Sequence, residues 1–187
     1  MRHKILNKFF LAAAMLGLGV GIAVADIVGP VSAPDAAIAK KLRHQIVMYP
    51  YYNIFDDIRF FVDGGRVELL GDVTQPFKKA DLGRIAERVP GVTSVDNEIK
   101  VLPLSAMDNQ LRWRVARAIF RDPMFTQYAL QAVPPIHIIV DNGHVTLDGV
   151  VRTQTEKEVA GIRAASVGLS FGPITNNLRV EQPSPKS

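Results

Sequence analysis

Ile58-Arg-Phe-Phe-Val-Asp-Gly-Gly-Arg-Val-Glu-Leu-Leu-Gly-Asp-Val73 and Ile136-His-Ile-Ile-Val-Asp-Asn-Gly-His-Val-Thr-Leu-Asp-Gly-Val-Val151 are one pattern written twice. Aligned without a gap, Ile, Val, Asp, Gly, Val, Leu, Gly and Val recur at the same places. Each copy is two extended runs about a tight turn, Asp63-Gly64-Gly65 or Asp141-Asn142-Gly143, built from residues that tolerate the positive φ of a hairpin turn. Alternation puts Val67, Leu69 and Gly71 on one face of the first hairpin, and Val145, Leu147 and Gly149 on the matching face of the second.

The repeat extends in both directions. Upstream, Ile38, Leu42 and Ile46 match Leu111, Val115 and Ile119, each set spaced i, i+4, i+8 on a helix that Pro50 or Pro123 ends. Downstream, a helix opening at Pro76 matches one that Thr153-Gln-Thr-Glu156 starts with a capping box. Val95-Asp-Asn97-Glu-Ile99-Lys-Val101 then matches Ile174-Thr-Asn176-Asn-Leu178-Arg-Val180 as a third strand. The expected order in each unit is helix, strand, strand, helix, strand. The units span 35–102 and 108–181, joined by the linker 103–107 and followed by a tail, 182–187, expected to be disordered. The second unit carries extra residues around Tyr128 to Pro134, and its loop Gly168 to Pro173 departs from the first unit's Pro90-Gly91-Val92.

Residues 1–25 read as an address. Arg2, Lys4 and Lys8 precede an apolar run, Phe9 to Val24, thinned by Gly17, Gly19 and Gly21, and Ala23-Val24-Ala25 offers a signal-peptidase site. The whole chain has 22 basic and 18 acidic residues. Cleavage after Ala25 removes three of the basic ones and lowers the net charge from +4 to +1 (19 against 18), which takes away the main support for nucleic-acid binding. Export is expected to place the mature chain in the periplasm or beyond. The absence of cysteine excludes disulfides, thiolate metal sites and cysteine nucleophiles.

Catalytic chemistry finds few candidates. Asp56 and Asp57 precede a strand and read as loop solvation and turn chemistry rather than as an acid–base pair. His137 and His144 can approach across their hairpin near Asp141, but an imidazole metal site needs three or four ligands. No Gly-x-Ser-x-Gly, His-Glu-x-x-His or phosphate loop occurs. The expectation is no catalytic residue, no metal and no cofactor.

Residues 108–121 hold the one surplus feature. On a helical wheel with Leu111 at zero, Val115, Ala118 and Ile119 fall within about 80° and form the core stripe. Trp113 and Phe120 fall at about 180–200°, and Arg114, Arg117 and Arg121 at about 240–300°. The first unit has Lys40 and Val47 where Trp113 and Phe120 stand, so the fold does not demand an aromatic pair. An outward indole beside an arginine row suits an anionic membrane surface. The competing expectation is that Trp113 and Phe120 pack on the first unit or on the Tyr128–Pro134 segment.

The paired hairpins ending in Gly-Asp-Val or Gly-Val-Val, the following helix and Val-x-Asn-x-Ile-x-Val resemble the BON domain, a bacterial module found in tandem in periplasmic, envelope and osmotically inducible (OsmY-like) proteins. The resemblance implies an α+β fold of two tandem αββαβ modules, each two helices packed on a three-stranded mixed sheet. It also implies association with anionic phospholipid or an envelope partner, without catalysis. The functional expectation is therefore a periplasmic phospholipid-binding protein supporting the envelope, through Trp113, Phe120, Arg114, Arg117 and Arg121. The alternative is a periplasmic protein-interaction or osmotic-stress protective module. N-terminal sequencing of exported protein is expected to begin at Asp26; recovery of intact Met1 from the membrane fraction would make the chain tethered instead.

Overall fold

The computed structural model describes residues 32–168 and 170–181. The expected signal peptide and cleavage site, and the tail 182–187, lie outside the described residues. The first module runs α1 (Ala33–Val47), β1 (Asp57–Asp63), β2 (Arg66–Val73), α2 (Pro76–Glu87), β3 (Ser94–Asn97) and β4 (Lys100–Val101). The second repeats it as α3 (Ala106–Phe120), β5 (Ile136–Asp141), β6 (His144–Val151), α5 (Gln154–Ala165), β7 (Thr175–Asn176) and β8 (Arg179–Val180). A 3-10 turn (Pro123–Phe125) and the short α4 (Thr126–Ala129) are inserted after α3. In each module the hairpin is antiparallel, and its second strand also pairs in parallel with the last two strand segments. The fold is therefore α+β, with two mixed sheets. Leu42, Val67 and Leu69 are fully buried in one core, and Val115, Val145 and Leu147 in the other.

A carboxylate joins the first helix of each module to its hairpin. Asp35 Oδ1 accepts from Gly65 N (2.9 Å) and Oδ2 from Gly64 N (3.2 Å). Asp108 does the same for Gly143 N (2.8 Å) and Asn142 N (3.0 Å). The turns take the expected positive φ, at Gly64 and Gly65 and at Asn142 and Gly143. The Ser32 hydroxyl and the Gly65 and Gly64 N–H groups hold the Asp35 carboxyl below the usual aspartate range.

Two glycine roles were hidden in the repeat. Gly71 and Gly149 have φ of +112° and +120°, and a Cβ would lie 2.0 Å from Asp57 O or 1.9 Å from Pro135 O. They mark a close backbone crossing rather than apolar surface. The third strand, expected to be continuous, is split in both modules. Asn97 Nδ2 donates to Lys79 O (2.9 Å) while its Oδ1 accepts from Ile99 N (3.3 Å). Asn176 repeats this with Lys157 O (2.7 Å) and Leu178 N (3.3 Å). The clasp breaks the ladder and turns Ile99 and Leu178 fully into the cores. Gly83 and Gly161 make room for it, since a Cβ there would stand 2.7 Å or 2.9 Å from the asparagine Nδ2.

Gly161→Ala is expected to destabilise by about 1–3 kcal/mol in urea titrations, through overpacking against a hydrogen-bonded amide. An unobstructed helix would instead gain about 1 kcal/mol from alanine, and that gain would refute the clasp. Leu147→Ala is expected to cost about 2–4 kcal/mol in the same titration; under about 1 kcal/mol would contradict its place in the core.

Candidate functional site

The buried stripe of α3 is rotated from the expected one. Leu111, Val115 and Ile119 are buried, joined by Arg112 and Ala116, whereas Ala118 is only half-buried. Arg112 enters the interior because its Nη2 donates to Val140 O at 2.6 Å. The rotation carries Phe120 inward. It is half-buried and packs against the second module's core, which corrects its expected outward position. Trp113 stays outward at 51% exposure, but one side is covered. The Phe55 ring stands edge-on to it, with centroids 4.9 Å apart and planes at 78°. The two expectations for Trp113 thus coexist: half of the ring is packed on a residue of the first module and half faces outward.

Arg114, Arg117 and Arg121 are all exposed, and among the described residues none forms an ion pair. Arg117 and Arg121 wall a groove of about 410 Å³ with Arg163 of α5. Asp122 also lines it, paired with Arg163 at 2.7 Å. The Met124 N–H and Arg163 hold the Asp122 carboxyl below the usual range, and among the described residues Arg163 is its only ion-pair partner.

Phe55 reaches Trp113 because residues 54–57 are fixed between the modules. Asp56, expected to be a solvated loop acid, is fully buried. Its carboxylate pairs with Lys78 Nζ at 2.7 Å and accepts from Thr74 N (3.0 Å), Thr74 Oγ1 (3.0 Å) and Asn53 N (3.2 Å). On the other side, Ile138 N donates to Ile54 O at 2.7 Å, and His137 Nδ1 donates to Asp56 O at 2.5 Å. Lys100 Nζ and Asp141 Oδ2 add an ion pair between the modules at 2.5 Å. Burial and the nearby Asp148 raise the carboxyl of Asp57 above the usual range.

His137 is therefore a buried joint residue and not a solvent-facing one. The hairpin register sets Asp148 opposite His137 and Asp141 opposite His144, so the two imidazoles do not meet. His144 is exposed, beside Asn142 O at 3.2 Å. Among the described residues no three histidine or carboxylate side chains converge as a metal site. The joint escaped sequence reading because Phe55, Asp56 and His137 are paired only by tertiary contact. The near-continuous apolar run of β5, Ile136, Ile138, Ile139 and Val140 around His137, buried on both faces, was its one visible trace.

No helix among the described residues is long and apolar enough to cross a membrane. No curated protein matches the chain. Two solved structures of CdsD, a structural protein of the type III secretion system of Chlamydia trachomatis, are similar at 19% identity. One match covers 77% of this chain and 61% of that one with a TM-score of 0.31. The other, to the C-terminal domain, covers 86% and 67% with a TM-score of 0.29. This chain thus spans only about 61% of the length of the first. The BON domain model matches residues 34–103 and again 108–182. With both modules matched, the chain belongs to the BON-domain family, as a tandem pair.

Proposed function

We propose that the chain is an exported, non-catalytic protein that binds anionic phospholipid surfaces through α3 and supports the cell envelope. BON domains are associated with membrane and envelope binding, and the finer reading rests on one observation. Arg114, Arg117 and Arg121 form an exposed row without acidic partners beside Trp113, the chain's single tryptophan, whose indole is half outward. Each arginine near an anionic surface contributes on the order of 1 kcal/mol, and the indole seats at headgroup level. The row alone supplies about 3 kcal/mol, less than the ~4 kcal/mol of a millimolar complex, so the aromatic contribution is needed. A protein-interaction role is the second reading. It draws on Phe61, 62% exposed on β1, which ends its sheet on one side.

The test uses residues 26–187, which contain both BON modules. Trp113→Lys places at this site the residue the first module already has. It is expected to cost about 1 kcal/mol of stability, through the lost Phe55 contact. Co-sedimentation with phosphatidylglycerol vesicles should weaken by about tenfold or more. A folded variant that binds unchanged would overturn the membrane reading and move the protein-partner reading ahead. Replacing Arg114, Arg117 and Arg121 together by Ser should weaken binding and flatten its dependence on salt.

A further inference from the structure

β1 and β5 hold the same place in the two modules, with Phe60 matching Ile138 and Phe61 matching Ile139, but only β5 has its outer edge covered. Ile138 N donates to Ile54 O at 2.7 Å, and Ile139 is 6% exposed where Phe61 is 62% exposed. β1 ends its sheet and pairs with β2 alone. The two-residue turn Gly64-Gly65 makes Asp63 and Arg66 the first hydrogen-bonded pair of the hairpin. Bonds to β2 then recur at Phe61 and Arg59, so the N–H and C=O groups of Phe60 and Val62 point to the open edge, as Ile138 N does in β5. Among the described residues no other strand meets them. Arg59, Phe61 and Asp63 share the exposed face of β1, while Phe60 and Val62 pack against the core.

We propose that β1 is the contact of a homodimer, in which a second copy of this chain pairs its own β1 antiparallel to this one about a two-fold axis at Phe61. The strand is complementary to itself in that register. Arg59 stands opposite Asp63 of the second copy, Phe60 opposite Val62, and Phe61 opposite Phe61. Phe60 and Val62 become the hydrogen-bonded pairs of the new ladder, which is what their edge-facing groups require. Phe61 and the charged residues fall at the other pairs, where side chains approach more closely. A shift of two residues either way loses the match, setting Asp57 or Phe61 against Asp63. Asp63 forms no ion pair among the described residues, and Arg59, 3.1 Å from Asp57, is exposed. Edges that must stay single are blunted by proline, a bulge or like charges; β1 has no proline and one charge of each sign at positions that face each other across the axis. At the Asp57 end the edge opens on a groove of about 680 Å³ between Ile58–Phe61 and Pro135, Asp148 and Gly149. The register brings to this groove the second copy's turn, whose Gly64 and Gly65 carry no side chains to obstruct entry. A symmetric contact of one surface with itself closes as a dimer. This inference is independent of the membrane reading, because the β1 edge shares no residue with the α3 patch.

The experiment is sedimentation velocity on residues 26–187 without lipid. A short strand pair is a small interface, so a dimer is expected that dissociates on dilution from about 500 µM to about 5 µM. Arg59→Asp and Asp63→Arg each set like charges opposite at both contacts, and each is expected to weaken association about tenfold or more. The two single variants mixed in equal amounts should associate again, because every contact then opposes an arginine to an aspartate. The chain carrying both substitutions should dimerise as the unaltered one does. Both positions are exposed, so the variants should melt with the unaltered chain. On unaltered protein, the Phe60 and Val62 amides should exchange with solvent more slowly at high than at low concentration. A monomer at every concentration overturns the inference. So does a dimer that either charge reversal leaves intact, since the contact would then lie on some other face.

Discussion

The buried pair of Lys78 Nζ and Asp56 Oδ2, 2.7 Å apart, is the constraint on which the relation between the modules depends. A charge taken out of water must be fully partnered, and removing one member of such a pair costs about 3–5 kcal/mol. Asp56 meets that demand with one ammonium and three further donors from Asn53 and Thr74. Holding Asp56 in this way aims its carbonyl at His137 and that of Ile54 at Ile138, and inserts Phe55 into the second module's core. An electrostatic cluster in one module thus sets how much of the Trp113 ring the other leaves exposed. The second module has Glu156 at the place of Lys78. It is served by the Tyr128 hydroxyl of the inserted segment at 2.9 Å and by the Arg152 and Thr153 N–H groups that follow β6.

What could be read in the chain was what repeats locally. Hairpin alternation, the i, i+4, i+8 stripes and the turn glycines are short-range, and they yielded the αββαβ order and both cores. The split third strand was written in the same pattern, but Asn97 reads as a strand residue until Gly83 is seen to vacate space for it. The wheel of α3 erred by one residue's rotation because a buried Arg112 is invisible to a hydrophobicity pattern. Its partner, Val140 O, lies on another element. In the sequence Asp35 and Asp108 look like ordinary first-turn acids, because their partners are backbone groups 29–35 residues away. Of the expected surface, the arginine row and Trp113 stand outward, and Phe120 does not.

That surface is electrostatically sparse. With the expected leader removed, the chain carries a net charge of only +1, so its long-range field is weak and local arrangement must do the concentrating. The arginines achieve this by spacing: i, i+3 and i+7 along α3 present them on one side, next to an indole already half desolvated by Phe55. A ring held by an edge contact loses less rotamer freedom on binding than a free one, which makes a small patch more effective than its area implies.

Because Trp113 is the only tryptophan, its emission reports the proposed contact without labelling. Phosphatidylglycerol vesicles carrying brominated acyl chains, titrated into residues 26–187, should shift the emission to the blue and quench it, with reversal in high salt. Phosphatidylcholine vesicles should do neither. Emission that stays unshifted and unquenched while the protein sediments with anionic vesicles would contradict the account, because the chain would then be binding through some surface other than α3.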